Sequence, residues 1–337
     1  MRRFLIALLV IVLLLVAVAW LGIETLAARQ LRQMVAEGGE DVQAAAVVPL
    51  RRLTRIGVGL DQLHLQGDGA EIDLPRLELW APPYAPTAFR ASLPDSAVAN
   101  LAGQPVQAQM QDGRLDIEFG PLRDLAMTRA AVRLRNLVLN GQPVLARLIA
   151  QAWLGDMPAD LPPEVGATYD LELDLSGLDL PGLAVVGVVS PLPGVASVQG
   201  RAQLWLTAAP AEGVLSGHVA EPELVGLQSR DGVTLRLDDL TATLRGRVQA
   251  DAQGQAEGVL LIYSRDLRAI LLQAQSLGLI PERSAHLAAT ILQGLGAAPV
   301  TGDWPEPTDG EARLPITFAN GEARLAGLPL GAAPFLR

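Results

Sequence analysis

Cysteine is absent from all 337 residues, which rules out a disulfide framework, a thiol nucleophile and a lipid-modified cysteine. Lysine is absent as well: all 26 basic residues are arginine, so a serine–lysine dyad is impossible. With abundant Ala, Gly and Pro, this arginine bias reads as G+C-rich coding rather than a functional device. Only 4% of residues are aromatic, which counts against a carbohydrate- or base-stacking surface. The net charge of -10 and a pI near 4.9 leave no concentrated basic surface for phosphates, so nucleic acid is excluded as a partner. No phosphate-loop sequence, Gly-x-Ser-x-Gly elbow or paired-histidine zinc motif occurs. Stability must come from packing, which the length allows.

The longest apolar run stands at the N-terminus. Phe4 to Ile23 carries no charge over 20 positions, enough at ~1.5 Å per residue to cross a ~30 Å hydrocarbon layer. Arg2 and Arg3 precede it and Trp20 lies near its far end, the pattern of a single-pass inner-membrane anchor (residues 1–30) with the body exported to the periplasm. A cleaved signal peptide is the alternative, because Ala17-Val18-Ala19 has the small-x-small form of a cleavage site. No polar region separates that site from Trp20, Leu21 and Ile23, which favours the anchor. Leu26, Leu31, Met34 and Val35 extend a helical pattern to Gly38-Gly39, giving a stalk over 31–46.

From Val58 onward, short runs alternate apolar and polar residues between Gly, Pro, Asn and Asp, as antiparallel strands with one wet face do. The clearest are 115–119, 169–175, 233–237 and 240–248; others lie at 71–80, 132–139, 201–206, 259–263 and 314–318. Leu183 to Val198 reads as a buried strand and a loop. Two segments have helical spacing. Leu145, Leu148, Ile149, Ala152 and Trp153 predict a helix over 143–154, and Ser264 caps a longer pair over 264–295 with Leu267, Ile270, Leu271 and Ala274 as its stripe. The expected class is therefore α+β: a transmembrane helix, then a mostly antiparallel, curved sheet with a few amphipathic helices. Gly155-Asp156-Met157-Pro158 and Gly302-Asp303-Trp304-Pro305 each follow a predicted helix, suggesting two β-rich halves, 47–160 and 161–337; one continuous sheet is the alternative. Asn320-Gly321 predicts a tight hairpin near the end.

The closing segment LPITFANGEARLAGLPLGAAP, the N-terminal anchor and the β-meanders with amphipathic helices resemble a bacterial domain-of-unknown-function family, number twenty-one twenty-five. The layout is also similar to AsmA-type envelope proteins, a resemblance that implies a β-rich periplasmic body and a link to lipid homeostasis. Neither resemblance supplies catalytic residues.

Each candidate for chemistry has a plainer reading. His64, His218 and His286 are far apart and read as exposed structural histidines. His218 and Glu221 lie in a run, 212–222, that reads as strand, where side chains three apart point to opposite faces. Asp170, Glu172 and Asp174 share one strand face and read as a solvated acidic face paired to Arg133 and Arg135, with Leu171, Leu173 and Leu175 buried behind; part of a calcium site is the sharper alternative. Gly57-Val58-Gly59 has Gln62 where a dinucleotide fingerprint needs a third Gly or Ala, and reads as a turn. No catalytic, cofactor-binding or metal residue is assigned, and no cofactor. The expectation is a non-catalytic envelope binding or scaffold protein, held to the inner membrane through Phe4–Ile23 and contacting lipid or an envelope protein through a cavity lined mainly by Leu, Val, Ile and Ala. A carboxylate-dependent envelope hydrolase is the alternative.

Overall fold

Period-two alternation puts one side-chain set on each face of an extended chain, and such chains bury an apolar face by pairing side by side. A computed structural model describes residues 42–336 apart from 53, 68, 69, 102, 189, 191, 220, 277–301 and 303. The described residues divide into two compact units. The first holds 42–118 with Val132–Pro143 and Val185–Gly187, and the second holds the other described residues.

In the first unit β1 (Val42–Pro49), β2 (Ile56–Gly67) and β3 (Ala70–Ala81) form an antiparallel meander. β3 pairs along its length with two short strands, β4 (Ala88–Ser92) and β5 (Ser96–Leu101), and both pair in turn with the long β6 (Gln104–Gly120). Val47, Val58, Leu60, Leu63, Leu74 and Ala97 make its core. Leu60 and Leu63 are three apart yet both buried, because Gln62 takes a left-handed φ of 50° and shifts the phase of the strand. β7 (Ala126–Leu139) contributes residues to each unit.

The second unit is a ladder in sequence order: β8 (Gln142–Leu154), β9 (Ala167–Asp179), β10 (Val195–Leu206), β11 (Leu224–Leu237), β12 (Leu240–Ala250), β13 (Ala256–Ser264), β14 (Ala312–Ala319), β15 (Glu322–Leu325) and β16 (Leu328–Ala332). Every neighbouring pair is antiparallel. One helix, α1 (Leu267–Ser276), packs Leu267 and Leu271 against Leu314 and Leu325. Ser264 Oγ accepts from the Asp266 amide at 2.9 Å where the chain leaves β13 for this helix. The β14–β15 hairpin turns at Asn320 and Gly321, with φ of 52° and 75°.

Several expectations are corrected. The class is not α+β: the described residues are overwhelmingly antiparallel strand, and α1 is the only α-helix among them. Residues 143–154 are strand β8, not a helix. Leu148, Ala150, Ala152 and Leu154 stand opposite Leu175, Leu173, Leu171 and Tyr169 of β9, and a run apolar on both faces mimics helical spacing. Of the helices expected over 264–295, the rest beyond Ser276 lies outside the described residues. Gly57-Val58-Gly59 is inside β2; Pro181–Val186 is a 3-10 turn rather than a strand; and 212–222 is a turn-rich loop. Phe4–Ile23 and most of the stalk lie outside the described residues, while 42–46 of the stalk belong to β1. Among the described residues no helix is long and apolar enough to cross a membrane, so the single-pass inner-membrane placement has no support in this fold and is corrected to a β-sheet body without a described spanning helix.

Candidate functional site

Strand pairing in the second unit brings together residues that the sequence scatters. Trp153 on β8 stands opposite Asp170 on β9, Asp170 opposite Gln203 on β10, Gln203 opposite Gln228 on β11, and Gln228 opposite Arg247 on β12. Directly opposed residues share a face, so these five form one polar row across the sheet at ~4.7–4.9 Å per strand. Two open clefts lie over it, of about 550 Å³ and 850 Å³, and Gln228 and Arg230 line both.

The row is held in place from its sides. Trp205, fully buried, donates its indole N–H to Gln203 Oε1 at 3.0 Å, and Gln203 Nε2 donates to Asp170 Oδ1 at 3.2 Å, which fixes the orientation of the amide. The Arg247 guanidinium lies 4.7 Å from the Trp205 ring centre and donates to Asp160 Oδ2 at 2.6 Å and to the Asp160 carbonyl at 2.7 Å. The Arg247 hydrogen bond, with a further backbone one, holds the Asp160 carboxyl below its usual value of 3.8. Thr168 Oγ1 donates to the Asp156 carbonyl at 2.9 Å, so the loop after β8 is tied to the sheet twice. On the other flank, Tyr263 and Arg313 donate to the Pro305 carbonyl at 2.8 and 3.2 Å, anchoring the segment that carries Trp304 into the larger cleft. Both Gly-Asp-x-Pro segments noted in the sequence thus border these clefts through Pro158 and Pro305.

The residues singled out from sequence fall elsewhere or act otherwise. His64 meets Asp73, its cross-strand partner, at 2.8 Å; His218 Nδ1 lies 3.0 Å from the Ser216 carbonyl; His286 lies outside the described residues. Among the described residues no cluster of three metal-ligating side chains occurs. Of the acidic triplet, Asp170 joins the row, while Glu172 and Asp174 pair with Arg201 and Arg147, each at 3.3 Å, rather than with Arg133 and Arg135. Arg135 instead meets Asp112 at 3.4 Å. Leu171, Leu173 and Leu175 are no more buried than these acids, since arginine stems cover the polar face; the expected contrast is absent. The expectation of a main cavity lined by Leu, Val, Ile and Ala is also corrected. A cleft with an aliphatic wall of Leu63, Leu74, Ala97 and Val98 does occur in the first unit, at about 490 Å³, but both clefts of the second unit are larger and more polar than it.

The second unit thus presents a groove on an antiparallel sheet whose Gln203, Asp160 and Pro305 are each held by side chains of the strands. The chain belongs to the family described as an uncharacterized protein conserved in bacteria (DUF2125), whose model matches residues 54–334. That match names no AsmA-type relationship. Neither the curated proteins nor the solved structures contain a match to this chain.

Proposed function

We propose that this chain is a non-catalytic binding protein and that the groove over the row from Trp153 to Arg247 receives its ligand. The observation that carries this reading is the bracing: Gln203, Asp160 and Pro305 are each fixed by side chains of the sheet. Groups ordered before binding lose less entropy when a ligand arrives. Arg230, exposed in the wall common to both clefts, acts on Asp160 only through space, which leaves its five N–H donors for a ligand. A hydrolase would need a carboxyl held protonated near neutral pH, whereas the Asp160 carboxyl is shifted the opposite way. The charged and amide side chains that line the groove, Asp170, Gln203, Gln228 and Arg230 among them, also favour a soluble polar ligand over a lipid chain.

Thermal unfolding of the full chain tests this with a panel of saccharides, dicarboxylates, phosphorylated metabolites, short peptides and phosphatidylglycerol vesicles. A ligand at 100 times its Kd adds ~2.7 kcal/mol to the folded state. At least one soluble class is expected to raise the melting temperature of the wild type and not that of the Gln228→Ala, Arg230→Ala double variant, and to be recovered chemically unchanged. Stabilisation by vesicles alone, by no class, or equally in wild type and variant overturns the reading. Conversion of the ligand would replace it with the hydrolase.

A further inference from the structure

Resting on that reading of the groove, we infer that its ligand is an uncharged oligosaccharide, bound lengthwise between Trp153 and Trp304. Sugars are recognised by flat aromatic faces against their C–H surfaces and by planar side chains that donate and accept in pairs along vicinal hydroxyls. The groove has both.

Trp153 lines one cleft and Trp304 the other, and a third indole, Trp205, lies in the layer beneath Arg247. Two of the chain's five tryptophans, Trp153 and Trp205, therefore stand on strands of this sheet, and Trp304 comes to it from the segment before β14, although aromatic residues are scarce overall. Between the two lining tryptophans the row offers Asp170, Gln203, Gln228 and Arg247, all planar and each one strand further on. Their ~4.7–4.9 Å spacing is close to the length of one pyranose unit in an extended glycan. From β8 to β12 the row covers four such steps, ~19 Å, room for several sugars. Openness to solvent along its length suits a chain rather than a compact metabolite.

Charge separates this ligand from a polyanion. The walls carry the carboxylates Asp160, Asp170, Asp231 and Glu257 against the guanidiniums Arg201, Arg230 and Arg247. Arg247 is already paired with Asp160 and Arg201 with Glu172, so no excess of positive charge remains for a polyanion. Asp170, Asp231 and Glu257 against Arg230 leave a small negative excess, so a cationic peptide is the rival, and what favours a sugar over it is the pair of indoles, Trp153 and Trp304, at the two clefts.

The test is titration of the full-length protein with cellohexaose, maltohexaose, chitohexaose and xylohexaose, read by intrinsic tryptophan fluorescence and calorimetry. One of them is expected to bind saturably, with Trp153→Ala and Trp304→Ala each raising Kd at least tenfold. Trp80→Phe, in the other unit, should leave it unchanged. Because a tryptophan truncation can unfold a sheet, Gln228→Ala is measured beside them, with circular dichroism to verify folding; it should weaken binding without loss of structure. Binding by none of the four glycans overturns the inference. If a peptide or carboxylate binds instead and depends on Gln228 and Arg230, the saccharide assignment falls while the groove stands. A glycan that binds equally well to all these variants removes both.

Discussion

Trp205 lies directly opposite Gly226 across the β10–β11 pair, and its ring occupies the space that a side chain at 226 would fill. A Cβ there would sit 2.7 Å from Trp205 Cε3 and 2.7 Å from the Val248 carbonyl oxygen. The first unit uses the same device: Gly57 stands opposite Trp80, and a Cβ there would lie 2.6 Å from the Trp80 Cβ. In each case guanidinium groups stack on the indole, Arg247 on Trp205 and Arg55 on Trp80.

Gly226→Ala should therefore destabilise the second unit by about 1–3 kcal/mol, the usual cost of overpacking, because the obstructing carbonyl is part of the β12 backbone and cannot rotate away. The urea midpoint measures it. An unchanged midpoint would mean that the sheet spreads without cost and that the glycine is not required.

Arg247→Ala removes the stacking on Trp205, worth about 0.5–2 kcal/mol, and also both hydrogen bonds to Asp160, and so should lower the urea midpoint. The paired Asp160→Asn variant has a pH signature. A carboxyl whose folded pKa is depressed contributes stability that is present above its unfolded value and disappears as pH falls through the folded one. Wild type should thus lose more stability than Asp160→Asn between pH 5 and pH 2. Parallel acid curves would contradict the role given to this ion pair.

Alternation in the sequence located strands at 115–119, 233–237 and 314–318 even where both faces are covered or the apolar one is exposed, as at Leu115 and Ile117, and the Asn320-Gly321 turn was legible as well. β8 was not, because apolar side chains on both of its faces erase the period, and only pairing with β9 decides between strand and helix. The groove was illegible for a related reason. Trp153, Gln203, Gln228 and Arg247 become neighbours through the register of five strands, which no local pattern encodes, and a low aromatic fraction cannot reveal that Trp153, Trp205 and Trp304 gather around one groove. Asp170 was noticed as part of an acidic face, but its link to Gln203 depends on that same register.

Alkaline pH gives a clean probe, because a chain without lysine or cysteine has only its three tyrosines titrating as side chains between pH 9 and 12. Burial, and then the nearby Glu212 carboxylate, push the Tyr169 hydroxyl up to about 12, and it donates to the Met127 carbonyl. Its folded pKa lies above the unfolded value of 10.0, so the stability it contributes is complete below pH 10 and is lost as pH rises toward 12. Tyr169→Phe should be less stable at pH 7 but flatter across that window. Phenolate absorbance in wild type should contain a late component near pH 12 that Tyr169→Phe removes; a titration without one would refute the burial argument.

The last expectation concerns Trp80, whose ring centre lies 4.3, 5.0 and 5.5 Å from the guanidinium carbons of Arg55, Arg90 and Arg114. Three like charges around one indole repel each other, and the ring's attraction of roughly 0.5–2 kcal/mol per cation does not by itself hold them. Asp116 resolves part of the conflict by accepting from Arg90 at 3.3 Å and Arg114 at 3.1 Å, while Glu78 faces Arg52, Arg55 and Arg76. Asp116→Asn should therefore destabilise the first unit by about 1 kcal/mol at low ionic strength, as a partly exposed pair does. Much of that loss should return in 1 M salt, where the screening length falls to ~3 Å and the repulsion among the guanidiniums is damped. Trp80→Leu should cost more, about 2–4 kcal/mol, since a buried ring leaves a cavity, and salt should not restore it. Denaturation of both variants at two salt concentrations separates the effects. Equal salt responses would show that packing alone, and not the shared carboxylate, keeps the three arginines on the ring.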